Sequence, residues 1–170
     1  MPYSSTLLDK DFSAALGNMA VRTHLDIGAG AGKYGRMVAQ EHPESVRTAI
    51  EIWPPYVEQF QLRTIYQDVR IMPVADLMDD PDQAWDLVTA GDVLEHLPKS
   101  RALDLIEWLI YRSQVIWVQV PLRYPQNSVN GNRFEAHVSI WDARDFARFE
   151  HTSIQRWDML GVWIWGWKTE

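Results

Sequence analysis

The segment Leu25-Asp26-Ile27-Gly28-Ala29-Gly30-Ala31-Gly32-Lys33-Tyr34-Gly35 constrains this chain more than any other. Thr23–Ile27 reads as a short strand, and Lys33–Glu41 as a helix stopped near Pro43. Glycines at alternate positions separate them. Such a turn lets the backbone reverse sharply and approach a ligand closely, and the helix N-terminus favours electron-rich groups. Strand, glycine turn and helix in that order belong to α/β folds with a parallel sheet.

The rest of the chain keeps that rhythm. Residues 6–17 read as a leading helix. Strands are expected at 46–52, 69–73, 85–90 and 113–120, and helices at 55–64 and 98–111, with a helical turn at 76–81. Residues 121–141 break the pattern, being rich in Pro, Asn, Gly and Arg. A loop of that length in a compact domain is usually functional, so it is expected to form a lid or substrate loop. A helix is expected at 142–149 with Asp142 near its N-cap. Strands at 153–158 and 162–167, reversing at Met159-Leu160-Gly161, must be antiparallel because a parallel pair needs a long crossover. The expected fold is a single α/β domain over 1–170. It has a Rossmann-like, seven-stranded, mostly parallel sheet, a C-terminal antiparallel hairpin, and helices on both faces.

Composition narrows the function. The 170 residues carry 16 Lys plus Arg against 23 Asp plus Glu, a net charge of −7. With no basic run, the chain is a poor match for a phosphate backbone, so no nucleic-acid partner is expected. The absence of Cys excludes disulfides, thiolate metal sites and a Cys nucleophile. No His/Asp/Glu grouping has metal-ligand spacing, so no metal is expected. Met1-Pro2-Tyr3-Ser4-Ser5 has no basic region leading into an apolar run, and no stretch nears the about 20 apolar residues of a membrane helix. A cytoplasmic protein without membrane contact is the expectation.

Three readings of the glycine turn compete. Gly30-Ala-Gly-Lys-Tyr-Gly35 matches a dinucleotide fingerprint. A phosphate-binding P-loop fails, because Ile27 stands where its first Gly should be and Tyr34 where its hydroxyl should be. The third reading starts from Asp26, an acid that would repel a pyrophosphate and suit a cationic ligand.

The stretch from Leu25 to Gly35 resembles motif I of the class I S-adenosylmethionine (SAM)-dependent methyltransferases, and Asp86-Leu87-Val88-Thr89-Ala90-Gly91-Asp92-Val93-Leu94-Glu95-His96-Leu97-Pro98 resembles motif IV of their small-molecule, type-11-like members. The likeness implies SAM as cofactor and S-adenosylhomocysteine (SAH) as product. It implies cofactor contacts from Asp26, Gly28, Gly30, Gly32, Glu51, Ile52, Asp76, Leu77 and Asp92. Asp26 would help hold the methionyl ammonium through water, Glu51 the ribose hydroxyls, Ile52 and Trp53 the adenine face, and Asp76, or Asp79 in a slipped register, its amino group. Asn130-Gly131-Asn132-Arg133-Phe134-Glu135-Ala136-His137-Val138-Ser139-Ile140-Trp141 resembles a GNPFExHxSxW stretch of some bacterial class I methyltransferases, with Arg133 in place of the Pro. That makes His137 a candidate general base oriented by Glu135, with His96 a second catalytic candidate. The plainer alternative is that Glu135, His137 and Ser139 hydrogen-bond one another to order the loop.

Other residues read as structural. Asp86 is expected to hold a turn at its strand's start, Glu95 to cap the following helix, and His24 to lie at the surface. Trp163, Trp165 and Trp167 share one strand face and are expected to pack under a helix; a homodimer surface or an aromatic substrate wall is the lesser reading. The functional expectation is methyl transfer from SAM to an oxygen or nitrogen of a small-molecule acceptor. A non-catalytic SAM-binding scaffold and an NAD-dependent oxidoreductase are the alternatives.

Overall fold

The structure, a computed structural model, describes residues 3–80, 82–129 and 131–168. Met1, Pro2, Thr169 and Glu170 lie outside the described residues. So do Pro81, the expected end of the turn at 76–81, and Asn130, the first residue of the loop motif.

Seven strands form one sheet: β1 (Thr23–Ile27), β2 (Val46–Glu51), β3 (Asp68–Ile71), β4 (Trp85–Gly91), β5 (Ser113–Pro121), β6 (His151–Arg156) and β7 (Met159–Trp165). Their order is β3-β2-β1-β4-β5-β7-β6. β1 to β5 pair in parallel, and β7 runs antiparallel between β5 and β6. The seven-stranded, mostly parallel sheet and its terminal antiparallel hairpin agree with the sequence expectation. From β1 the chain winds outward one way through β2 and β3, then returns to start β4 on the other side. The crevice at that reversal, outside the carboxyl ends of β1 and β4, is where such sheets bind ligands.

Helices cover both faces. On one, α4 (Lys99–Ile110) lays Leu105, Ile106 and Leu109 against Leu25, Ile27 and Val88. On the other, α1 (Asp9–Leu16) and α2 (Lys33–Glu41) bring Phe12, Leu16 and Tyr34 onto Leu87, Trp117 and Trp163. Alternation along each strand makes this possible, since successive side chains point to opposite layers. Among the described residues no helix is long and apolar enough to cross a membrane.

Several boundaries differ for physical reasons. The helix expected at 55–64 breaks. α3 (Pro54–Gln59) ends, Gln61 turns left-handed (φ 51°), and a 3-10 turn follows at Leu62–Thr64. The break re-aims Leu62 and Tyr66 into a core shared with Ala49 and Val57. The helix expected at 142–149 is a 3-10 turn, Ala143–Phe146, capped by Asp142 and Asp145 as a reciprocal box. The final reversal comes earlier, at Trp157-Asp158, with Trp157 left-handed (φ 52°). The chain therefore enters β7 at Met159, so that Leu160, Val162 and Ile164 all reach the core.

The tryptophans divide by position. Trp85, Trp117, Trp141 and Trp163 are buried, and Trp163 stacks on Phe12 of α1 as expected. Trp165 and Trp167 are exposed, so the packing expectation fails for them; Trp167 lies past the end of β7, its ring against Tyr111 at the end of α4. Asp86 accepts from the backbone N–H groups of Arg22 and Thr23 and pairs with Lys168, joining the starts of β1 and β4. His24 is fully buried inside β1, a correction to its expected surface place.

Candidate active site

The glycine turn leaves β1 at the sheet's carboxyl edge. Gly28 (φ +65°) sits so close to Val93 that a Cβ there would come within 2.5 Å of its methyl carbon. Gly32 (φ +77°) opens α2 in a left-handed conformation that L side chains rarely adopt. The turn therefore hugs the loop after β4 and keeps its backbone accessible. Asp26 lies beneath it, 1% exposed, and does not reach the cavity. Its register partner Thr89 donates to Oδ1 at 2.7 Å, and the Tyr66 hydroxyl donates to Oδ2. Tyr66 also accepts from Gly35 N at 3.2 Å. Burial raises the Asp26 carboxyl to about 6. Asp26 thus fastens β1, β4 and α2 together under the turn rather than offering a free oxygen to an ammonium group.

At the end of β2, Glu51 Oε2 accepts from Gly30 N at 2.9 Å and Oε1 from Trp53 N at 2.8 Å. Each oxygen retains a lone pair for a ligand hydroxyl. Burial pushes this carboxyl up. Beside it runs an apolar slot walled by Ile27, Ile50, Ile52, Met72 and Val74. Ile52 is therefore on the cavity as expected. Asp76 and Leu77 are not: Asp76 is exposed, Leu77 is buried in the core, and Val74 and Ala75 take the wall. The 3-10 turn at Val74–Asp79 starts two residues before Asp76 and carries both residues past the slot.

The third wall follows β4. Asp92 lines the cavity in a left-handed conformation (φ 56°), a strained placement for a non-glycine residue. Its Oδ2 accepts from Ser5 N at 3.0 Å and Gln119 Nε2 at 2.8 Å. A chain of hydrogen bonds supports it from the core, Trp117 Nε1 to the Tyr34 hydroxyl and that hydroxyl to Gln119 Oε1. Ser4 joins the lining, with Oγ on the Gly91 carbonyl. Lys33 Nζ holds this leading segment through the Ser5 carbonyl and Asp9.

Residues of the 121–141 segment roof the far end. Asn132, Phe134 and Glu135 line the cavity, and Glu135 accepts from the Tyr56 hydroxyl at 2.9 Å. This contact replaces the expected pairing of Glu135 with His137. His137 instead places Nδ1 2.6 Å from the Tyr124 carbonyl, and Ser139 Oγ donates to the Leu94 carbonyl at 3.2 Å. The three loop residues therefore do not bond one another. His96 lines the cavity, its Nδ1 3.1 Å from the Ala136 carbonyl. His96 and His137 meet with ring centroids 4.8 Å apart. Burial lowers the His96 pKa. Glu95 does not cap α4. It is 1% exposed, in the 3-10 turn Leu94–His96, with neither oxygen hydrogen-bonded.

Sequence reasoning missed Tyr56, Asn132, Phe134 and Ser4. Asn132 and Phe134 stand in a motif that was noticed but given no role. Nothing local marks Tyr56, whose partner is 79 residues away.

The cavity's chemistry fits SAM. Its lining carries three carboxyls, Glu51, Asp92 and Glu135, and among the described residues no Lys or Arg. Such a wall suits a sulfonium and an ammonium and opposes a pyrophosphate. The apolar slot suits a purine. Sheet order, glycine turn and acid-lined crevice together are those of the class I methyltransferase fold. Residues 25–108 match the sequence profile described as Methyltransferase domain. Over those residues the chain is similar to the SAM-dependent methyltransferases, whose cofactor is SAM.

Solved structures share the fold. An O-methyltransferase family protein from Burkholderia thailandensis is 12% identical, with a TM-score of 0.66 over 97% of this chain. The chain spans only 58% of that protein. The methyltransferase domain of bacterial CtHen1-CN is 17% identical, covering 94% of this chain and 98% of that one, with a TM-score of 0.66. The N-terminal domain of EvdMO1 with SAH bound is 13% identical, covering 96% and 82%, with a TM-score of 0.65. Among curated proteins none matches in sequence.

Proposed function

We propose that this chain transfers a methyl group from SAM to an oxygen or nitrogen of a small-molecule acceptor. The observation that carries the reading is the crevice itself: acid-lined, without Lys or Arg among its described residues, and roofed by the 121–141 segment. A roofed acidic crevice suits a compact acceptor and disfavours a polyanion. Bound SAM supplies a methyl carbon already activated by its sulfonium leaving group.

The chain's own residues then bind and orient. Glu51 takes the ribose hydroxyls. Ile52 and Val74 flank the purine. The glycine turn (Gly28, Gly30, Gly32) gives backbone access, and Asp92 complements the positive end. Asp26 acts by holding the turn, not by contact. In the ion-free protein His96, on the cavity, and His137 behind it are the basic groups nearest the roof, placed to take the proton that a hydroxyl or amine acceptor loses.

Isothermal titration with SAM, SAH and NAD tests the cofactor, and transfer of labelled methyl to an acceptor panel tests the reaction. SAM and SAH are expected to bind and NAD not to. Glu51→Ala is expected to weaken SAM by about 1–3 kcal/mol, roughly 5- to 150-fold, by leaving buried donors unpaired. Unchanged affinity would refute the ribose assignment. SAM binding without transfer to any acceptor would favour the scaffold reading.

A further inference from the structure

Glu95 is an anomaly that the methyl-transfer reading does not use. Its side chain is buried to 1% exposure, and neither carboxyl oxygen has a hydrogen-bond partner. An unpaired carboxyl in such a place is costly to keep. Yet the surroundings are built around it. The Glu95 backbone carbonyl accepts from Val138 N at 2.8 Å and Ser139 N at 3.1 Å, which docks the roof segment and carries His137 to it. His137 Nε2 comes to 3.9 Å from Glu95 Oε1. His96 is the next residue along the chain. One ligating atom from each of Glu95, His96 and His137 lies within 4.8 Å of the others.

The ring orientations say what the cluster can accept. Each imidazole has Nδ1 against a backbone carbonyl, Ala136 for His96 and Tyr124 for His137. A carbonyl only accepts, so Nδ1 carries the proton in both rings. Nε2 is then left with a bare lone pair. Neutral His137 therefore has no proton to give Glu95, which disfavours a simple carboxyl–imidazole relay. An unprotonated Nε2 on each ring beside one carboxylate, with each Nδ1 fixed by a carbonyl, is how proteins orient ligands around a metal.

We propose that Glu95, His96 and His137 bind a divalent first-row transition-metal ion. Two imidazoles and one carboxylate suit Mn²⁺, Fe²⁺, Co²⁺ or Zn²⁺ rather than Ca²⁺ or Mg²⁺, which prefer oxygen. Three protein ligands leave coordination positions open. His96 lines the cavity, so those positions face the acceptor end and would take an acceptor with an oxygen donor, such as a hydroxyl. That last assignment rests on the methyl-transfer reading; the ion site does not. Metal–ligand bonds of about 2.0–2.2 Å bring ligating atoms to about 3.5 Å of one another. Binding should therefore draw His137, and the roof with it, inward.

The test is titration of the chelator-stripped full chain with Mn²⁺, Co²⁺ and Zn²⁺, each alone. One ion per chain is expected, with the Co²⁺ form showing the visible absorption of a nitrogen-ligated site. His137→Ala and Glu95→Gln should each weaken the ion by about 100-fold or more. His137 lies in the surface segment, so His137→Ala keeps the test valid if a change at buried Glu95 impairs folding; thermal melts check both. No saturable binding of any ion, or binding unchanged in both folded variants, overturns the proposal. A parallel SAH titration separates the two readings. Ion binding without SAH binding fells the methyl-transfer reading alone, and SAH binding without ion binding fells this one alone.

Discussion

Two carboxyls stand on opposite sides of the crevice, each 1% exposed, and the protein treats them differently. Under the glycine turn, Asp26 takes hydroxyls from Tyr66 and Thr89, and His24 backs Thr89 through Nε2 at 2.9 Å. Under the roof, Glu95 takes nothing. The first region is a scaffold whose polar groups lock three elements, with the outer His24 Nδ1 its one atom left without a partner among the described residues. The second is a set of groups held in place by their backbone and outer atoms while their inner atoms stay open. A buried group with its partners built in stabilises position; one without them marks where something else binds.

The largest expected effect that sharpens this comparison is the pH response of Asp26. Burial raises its carboxyl from 3.8 to about 6, a difference of about 3 kcal/mol. The folded chain therefore holds a proton here that the unfolded chain has released. Its contribution to stability is full below about pH 4 and is lost as pH rises through about 6. Asp26→Asn keeps a polar group between the two hydroxyls and does not titrate. Urea unfolding of both proteins from pH 4.5 to 7.5 should show the variant gaining about 2 kcal/mol on the wild type across that range. A constant difference would mean that the hydroxyls fully offset burial and that Asp26 is ionised throughout.

The same contrast explains what the sequence could disclose. β1 and α2 fall where the pattern puts them, because periodicity and glycines are local signals. The glycine turn, Glu51, Ile52 and Asp92 were legible because each sits at a strand's carboxyl end. The role of Asp26 was not, since Tyr66 and Thr89 lie 40 and 63 residues away. Glu95 looked like a helix cap because no local window shows that the roof returns from residues 138 and 139 to bury it. The same docking brings His137 to His96, a grouping invisible as spacing.

A smaller effect is expected at Glu95. Leu is close in size and has no polar atom to leave unpaired. In chelator at pH 7.5, Glu95→Leu should raise stability by about 1–2 kcal/mol, the range for relieving one buried unsatisfied group. That is about 2–8 °C in melting temperature. It should also abolish ion binding. Lower stability in chelator would mean that the carboxyl has a partner in solution, and the contrast with Asp26 would then fail.

The smallest expected effect lies where the two regions touch. Tyr56, just past the glycine-turn side, donates across the mouth to Glu135 of the roof at 2.9 Å. Its own burial and the neighbouring carboxyls raise its hydroxyl to about 12, so it remains a donor at every working pH. Tyr56→Phe removes that bond and leaves the ring's contact with Phe60, 5.5 Å between centroids. Global stability should change by less than about 1 kcal/mol, because the group is partly exposed. The roof should open more often: amide exchange across 131–137 should quicken roughly fivefold, and SAH should leave faster by a similar factor, the ratio that about 1 kcal/mol sets. If exchange in the roof is unchanged, its closure rests on its contacts with residues 94–96, and the two regions are coupled through the sheet rather than across the mouth.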